Sequence, residues 1–291
     1  MIYGEVNFNK RLLELLTKKE IILHYFNYYG YYAGSFYPRE HLNSGYMILK
    51  QSEHYLDETK RYRIASELLA GAGKNIRQVM KYYISRGKPL EESLKSIEKL
   101  LDAMSASNGI PALMALEGKI RDYYYQVFDD IIGNEGFTFD KRTRRPPQNM
   151  LNTLISFGNS FMYTICLSEI YNTHLDPRIG YLHTTNFRRF SLNLDLAEIF
   201  KPVIIDRLIF SLLGRKMISA KDFEQASQGI MMKERAKKTF IAELDAKLKA
   251  TINHRAIGRP VSYRRLIRLE AYKLEKHLMG EKDYKAFVAQ W

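Results

Sequence analysis

A chain of 291 residues with 46% hydrophobic and 26% charged side chains can bury a sizeable core, as one large domain or two modest ones, and is far from a disordered composition. Its formal net charge of +13 favours a polyanionic partner, either nucleic acid or an anionic membrane surface. A single cysteine, Cys166, excludes a disulfide framework and a cysteine-rich zinc site and points to a reducing cytoplasm. The opening Met1-Ile2-Tyr3-Gly4-Glu5 lacks the basic-then-apolar pattern of a signal peptide.

The first 39 residues hold short apolar runs such as 21–29. Gly30 and Gly34 are placed for a hairpin, Pro38 closes the region, and the pattern predicts a small β-domain. Residues 40–291 turn helical, with apolar positions three and four apart, so the fold class is α+β, a small N-terminal β-domain followed by a large, mainly α-helical domain. Interruptions are expected at Gly71–Gly73 and Gly87–Pro89, and no fixed repeat emerges. Asn108-Gly109-Ile110-Pro111 reads as a turn whose proline suits the first helical position. The helix that follows lines up Leu113, Leu116, Ile120, Tyr124, Val127 and Ile131, with Glu117 on the same face. A Gly-, Arg- and Pro-rich loop over 133–147 leads to an apolar helix beginning near Asn149. That helix is broken by Asn152, Ser156, Asn159, Ser160 and Ser168, so it predicts a buried core element and no membrane span. A loop is expected over 174–189, and helix from 191 to the end, strongly basic in its last part.

Glu117 is an anomaly, because a carboxylate on an apolar face needs a partner: an arginine, a metal or water. From position alone an ion pair and a metal are equally good answers. His183 by itself is more often a structural residue than a ligand. Asp195 and Glu198, three apart at a helix start, can reach one small volume, but Asp-x-x-Glu before an apolar run is equally a capping box. Two carboxylates and an imidazole would suit a hard divalent cation, Mg²⁺ or Mn²⁺, and phosphodiester chemistry. Asn152, Ser156, Asn159 and Tyr163 form a polar stripe that favours an internal hydrogen-bond network over contact with a substrate. Arg142, Arg144 and Arg145 could grip phosphates or form a solvated charge run, and Arg264, Arg265 and Arg268 share one helical side, as a backbone-tracking surface would.

In order and spacing these pieces resemble the CRISPR-associated Cas1 family of integrases and endonucleases. The resemblance is carried by Leu116-Glu117-Gly118 with Tyr123 and Tyr125, then Arg142 with Arg144-Arg145-Pro146-Pro147, Asn152 and Ser156-Phe157-Gly158. It continues through Leu175-Asp176-Pro177 with Gly180 and His183, Ser191-Leu192, Asp195-Leu196, Glu198, Phe200-Lys201-Pro202 and Asp206. Gly4-Glu5-Val6 and the 30–34 stretch look like the family's N-terminal β-domain, shortened by several strands in this sequence. The resemblance implies that Glu117, His183 and Glu198 ligate Mg²⁺ or Mn²⁺, with Asp195 an acidic neighbour in the same catalytic site. It implies insertion of prespacer DNA into a CRISPR repeat by 3′-hydroxyl attack, and needs no nucleotide cofactor. The implied partners are double-stranded DNA, the small Cas2 protein and a second copy of the chain in a homodimer. Arg142, Arg144, Arg145, Asn152, Arg264 and Arg265 are the expected DNA contacts.

Overall fold

The computed structural model describes all residues except 28, 29, 39–41, 43, 135, 186–189, 227, 228, 255, 256 and 291, and only the backbone at 254. The expected domain boundary between 39 and 40, and the end of the 174–189 loop, lie outside the described residues.

The N-terminal region contains the expected hairpin. Strands β1 (Leu23–Phe26) and β2 (Tyr32–Phe36) pair antiparallel, and Ile2 adds one parallel bridge to Tyr25. It also contains a helix the strand reading did not anticipate, α1 (Lys10–Lys18), in which Leu12, Leu13 and Leu16 fall at helical spacing. The Asn9 side chain caps it by accepting from the Leu12 N–H at 3.1 Å.

The helical body runs α2 (Gly45–Leu56), α3 (Glu58–Ile84), α4 (Glu91–Ala103), α5 (Gly109–Gln126), α6 (Phe128–Ile132) and α7 (Met150–Tyr171). Gly71 and Gly73 do not interrupt α3, which continues through both. They are small because other chain comes close. A Cβ on Gly71 would stand 2.4 Å from the Cβ of Ala286, and one on Gly73 would stand 2.4 Å from Cδ2 of Leu101. Helix α7 is apolar around most of its girth and buried accordingly, with Leu151, Leu154, Ile155, Met162 and Cys166 fully enclosed. Each large side chain buried there contributes roughly 1.5–3 kcal/mol. Among the described residues no helix is long and apolar enough to cross a membrane.

Helix α8 (Leu192–Lys201) packs between α3 and α7. Pro202 has no N–H to continue the ladder, and the chain passes through a π-helical turn, Pro202–Asp206, before α9 (Arg207–Gly214). The carbonyls at the end of α8 are thus short of partners. Asn75 of α3 answers one of them, its Nδ2 donating to the Ile199 carbonyl at 2.8 Å.

The region after α9 is less uniformly helical than its pattern implied. Two antiparallel hairpins, β3 (Phe223–Ala226) with β4 (Gly229–Met232) and β5 (Thr251–His254) with β6 (Arg259–Ser262), flank α10 (Glu234–Lys249). Helix α11 (Tyr263–Leu278) follows, and the chain ends in an irregular strap that buries Tyr284 and Ala289. Asn75 also holds the strap, donating to the Phe287 carbonyl at 3.0 Å and accepting from the Ala289 N–H at 2.8 Å. Phe287 stacks on Phe200 of α8 with centroids 5.5 Å apart.

Candidate active site

Three helices and one loop meet around the predicted residues. Helix α5 presents Glu117 and, one turn on, Arg121; α8 presents Asp195, Glu198 and Lys201; α7 presents Tyr163; the loop before α8 brings His183. The loop is folded onto α8 by hydrogen bonds. Ser191 accepts from the Gly180 N–H at 2.9 Å and donates to the Arg178 carbonyl at 2.7 Å. A Cβ at Gly180 would stand 2.9 Å from the Asp195 carboxylate, so this approach requires glycine.

Asp195 is completely enclosed and collects the loop's donors. Its oxygens accept from the backbone N–H of Tyr181 at 2.6 Å, Leu182 at 3.1 Å and His183 at 2.9 Å, and from Nδ1 of His183 at 2.8 Å. The capping-box reading of Asp195 and Glu198 is therefore overturned. Ser191 occupies the N-cap, Asp195 lies a turn inside α8, and neither carboxylate caps the helix. With Nδ1–H committed to a carboxylate, the imidazole keeps Nε2 as its acceptor.

Glu117 and Glu198 converge on one guanidinium. Arg121 donates from Nε to Glu117 at 3.1 Å and from a terminal nitrogen to Glu198, whose other oxygen accepts from Lys201. The ion-pair answer to Glu117 is thus present, and because Arg121 reaches Glu198 as well, it links the two glutamates expected to share a metal. Among the described residues no three of His, Cys, Asp or Glu stand close enough together to share an ion. Arg121 and Lys201 occupy both oxygens of Glu198, and Arg121 one of Glu117.

The surroundings are strongly charged beneath the surface. Burial pushes the Asp206 carboxyl up to about 6 against the pull of Arg121 and Lys201, and its Oδ2 lacks a hydrogen-bond partner, as does Nη1 of Arg121. Burial would raise the Tyr163 phenol, yet Lys201, Arg121 and Arg144 together bring it below its usual range. The Lys201 ammonium lies 4.8 Å from the Tyr163 ring centre.

The expected DNA contacts divide into two groups. Arg142 turns inward, donating to Asn152 Oδ1 at 2.8 Å and Ser156 Oγ at 3.0 Å, and Asn152 donates to the Lys141 carbonyl at 2.8 Å. Asn152 is fully buried and has no surface left for DNA; these two residues brace the loop. Arg144 and Arg145 remain exposed. Arg145 lies 6.0 Å from the Tyr31 ring, on an open cleft of about 980 Å³ that Tyr163 and Asn193 also line. Arg264 and Arg268 pair with the buried Glu169 of α7, at 3.5 and 2.8 Å, so the basic side of α11 is partly spent on fastening helices together. Arg265 lies over Tyr272 at 5.8 Å.

The model of the family described as CRISPR associated protein Cas1 matches residues 1–246. The chain belongs to the Cas1 family. It is 58% identical over its whole length to a CRISPR-associated endonuclease Cas1 from Thermodesulfovibrio yellowstonii, spanning 88% of that protein. It is 50% identical over 97% of its length to the CRISPR-associated endonuclease Cas1 of Thermotoga maritima, spanning 86% of it. A solved Cas1 structure from Thermotoga maritima superposes with a TM-score of 0.87 at 46% identity, covering 99% of this chain and 88% of that one. A casposase bound to its integration product shares the fold at TM-score 0.82 and 19% identity, over 96% of this chain and 77% of that one.

In this Cas1 chain the candidate site also holds Arg121 and Lys201, to which the sequence reading gave no role. Their signal was available: Arg121 follows Glu117 by four residues and Lys201 follows Glu198 by three, the spacings at which helical side chains meet. Which of the basic residues would be used was not readable, because the contact from Arg121 to Glu198 crosses from α5 to α8.

Proposed function

We propose that this Cas1 chain is a divalent-metal-dependent DNA integrase and nuclease that inserts short duplex DNA into a CRISPR repeat by attack of a 3′-hydroxyl on a repeat phosphodiester. One observation carries the reading: Glu117 and Glu198, from two helices, converge on a single positive charge, while Asp195 holds the His183 ring by Nδ1. Two carboxylates and an oriented imidazole suit a hard divalent ion. Glu117, His183 and Glu198 would hold Mg²⁺ or Mn²⁺ once Arg121 yields its place between the glutamates. The ion would supply charge stabilisation at the phosphoryl group and ease deprotonation of the attacking oxygen.

The chain's own residues do the rest. Asp195 fixes the imidazole tautomer and the loop that carries it. Lys201 holds Glu198 in place and keeps positive charge beside Tyr163. Arg144 and Arg145, both exposed and the latter on the cleft, are the phosphate contacts retained from the expected set. In the transfer step the incoming 3′-oxygen bonds to phosphorus, the P–O bond to the repeat's own 3′-oxygen breaks, and that oxygen takes a proton. One phosphodiester replaces another, so no nucleotide cofactor is consumed; with water as the attacker, the same site cleaves DNA.

The proposed partners are double-stranded DNA, a Cas2 protein and a second copy of this chain, in the cytoplasm. The support is the family together with two neighbours in fold, the casposase bound to its integration product and a Cas6-RT-Cas1–Cas2 complex at TM-score 0.83 and 20% identity. The test is transfer of a short labelled duplex into a repeat-bearing plasmid with Mn²⁺ or Mg²⁺. Transfer or cleavage that survives Glu117→Ala and His183→Ala would sink the reading. The pairing of both glutamates with Arg121 favours one alternative, a non-catalytic DNA-binding protein, whose DNA binding would be indifferent to chelator and which would take up no metal at this site.

A further inference from the structure

Two buried groups of opposite charge beneath the glutamates have atoms to spare. Nη1 of Arg121 and Oδ2 of Asp206 are both enclosed, and neither has a hydrogen-bond partner. Arg121 is 8% exposed and Asp206 1%, so water does not answer either group freely. A folded core leaves few polar atoms in that condition, and each one calls for a reason.

The backbone brings the two close. Helices α5 and α6 run beside α8 and α9 in the same direction, pinned where Arg121 meets Glu198 and, further on, where Phe128 packs against Phe210 with ring centroids 4.7 Å apart. Asp206 precedes Phe210 by four residues and Tyr124 precedes Phe128 by four, which sets Asp206 level with Tyr124. Tyr124 lies just under one turn beyond Arg121 on α5, and Glu198 lies about two turns back from Asp206 on its own helix. Arg121 therefore stands between two carboxylates, leaning back on Glu198 with Asp206 ahead of it.

The other cations that act on Asp206 are engaged: Lys201 is held by Glu198, and Arg142 by Asn152 and Ser156. Among the described residues no basic side chain forms an ion pair with Asp206. Burial lifts its carboxyl to about 6 although Arg121 and Lys201 draw it down, as expected of an acid whose counter-charge is near but not in contact. An ion held by Glu117 and Glu198 would take both of the carboxylates that Arg121 now uses. A guanidinium stays charged and cannot be left in the core without an acceptor.

We infer that Asp206 is a positioning residue for the metal site, which receives the Arg121 guanidinium when a divalent ion takes Glu117 and Glu198. The exchange makes room for the ion and leaves no buried charge unanswered. It rests on the reading of the chain as a metal-dependent enzyme.

The test is Mn²⁺ binding to the full chain, titrated by electron paramagnetic resonance, for the wild type, Asp206→Asn, Arg121→Met and the double variant. Asp206→Asn should weaken binding by about 10- to 100-fold, because the displaced guanidinium then has no carboxylate to meet. In the Arg121→Met background the same substitution should change affinity by less than about 2-fold, since no guanidinium is left to receive. A merely structural role for Asp206 would cost metal affinity in both backgrounds. Unchanged affinity in Asp206→Asn overturns the inference, and so does an equal loss with and without Arg121. A crystal structure of the wild type grown with Mn²⁺ gives a second reading that depends on no substitution. The guanidinium should then lie about 2.7–3.2 Å from an Asp206 oxygen and stand clear of Glu198. A bound ion with Arg121 still on Glu198, or turned out to solvent, overturns the inference while leaving the metal site in place. A wild type that takes up no Mn²⁺, or takes it up equally after Glu117→Ala, would instead defeat the metal reading itself and this inference with it.

Discussion

Asp195 and His183 are joined by a 2.8 Å hydrogen bond from the imidazole Nδ1 to a carboxylate that is wholly buried and also holds the backbone N–H of His183. Asparagine at 195 could keep one carbonyl oxygen for the backbone donors but would turn an N–H towards Nδ1. The imidazole would then move its proton to Nε2 and lose the lone pair a metal needs. Asp195→Asn is expected to weaken Mn²⁺ binding by about 10- to 100-fold, measured by titration followed by electron paramagnetic resonance. Unchanged affinity would mean that His183 is not a ligand.

Arg121 should compete with the metal, since it and the ion would claim the same two carboxylates. Arg121→Met leaves Glu117 without its ion pair and Glu198 with Lys201 alone, at a cost of about 3–5 kcal/mol for a buried pair broken from one side. The variant should melt earlier in EDTA and gain more from Mn²⁺ than the wild type does. A smaller Mn²⁺-induced shift in melting temperature than in the wild type would show that Arg121 supports the metal and does not stand in for it.

The two groups of basic residues on the 133–147 loop should separate experimentally. Arg142→Gln removes the partner of Asn152 and Ser156 and should lower thermal stability by about 1–3 kcal/mol. Arg144→Gln with Arg145→Gln should leave the melting curve in place and reduce duplex affinity and its salt dependence. Urea titration and a fluorescence binding assay on the same preparations distinguish these outcomes.

Gly71→Ala should disturb the C-terminal strap, because the added methyl would meet the Cβ of Ala286 at 2.4 Å. Overpacking of this kind costs about 1–3 kcal/mol. The strap should also become open to proteolysis near Phe287, read by mass spectrometry. An unaltered digestion pattern would show that α3 and the strap can part without loss.

His24 ties the N-terminal hairpin to α7, with Nδ1 on Ser35 at 2.5 Å and Nε2 on Ser168 at 2.7 Å. Burial, with the N-terminal amine adding to it, lowers its pKa from 6.5 to about 4. The unfolded chain therefore takes up the proton first on acidification. This contribution is intact above pH 6.5 and is lost as pH falls towards 4, by at most ~3.5 kcal/mol at about 1.4 kcal/mol per pKa unit. His24→Gln should flatten the dependence of melting temperature on pH across that window.

Composition, periodicity and local spacing determined much of this protein. They were enough for a basic chain with an N-terminal hairpin, the buried helix α7, an anomalous carboxylate at Glu117, and the Asp195 and Glu198 pair on one helix. These are properties of short windows, where a period of 3.6 or 2 residues records which face is buried. Only tertiary structure decided what each buried group meets. Gly71 and Gly73 look like helix breakers until the strap and Leu101 are seen against them. Arg142 looks like a surface reader until it is found turned inward onto Asn152 and Ser156 of the polar stripe. Asp195 looks like a cap until the 180–183 loop folds onto it, and Arg121 became part of the site because α5 lies against α8. A buried polar group must find a partner, but the chain position of that partner is free, so the requirement is visible in the sequence and its answer is not.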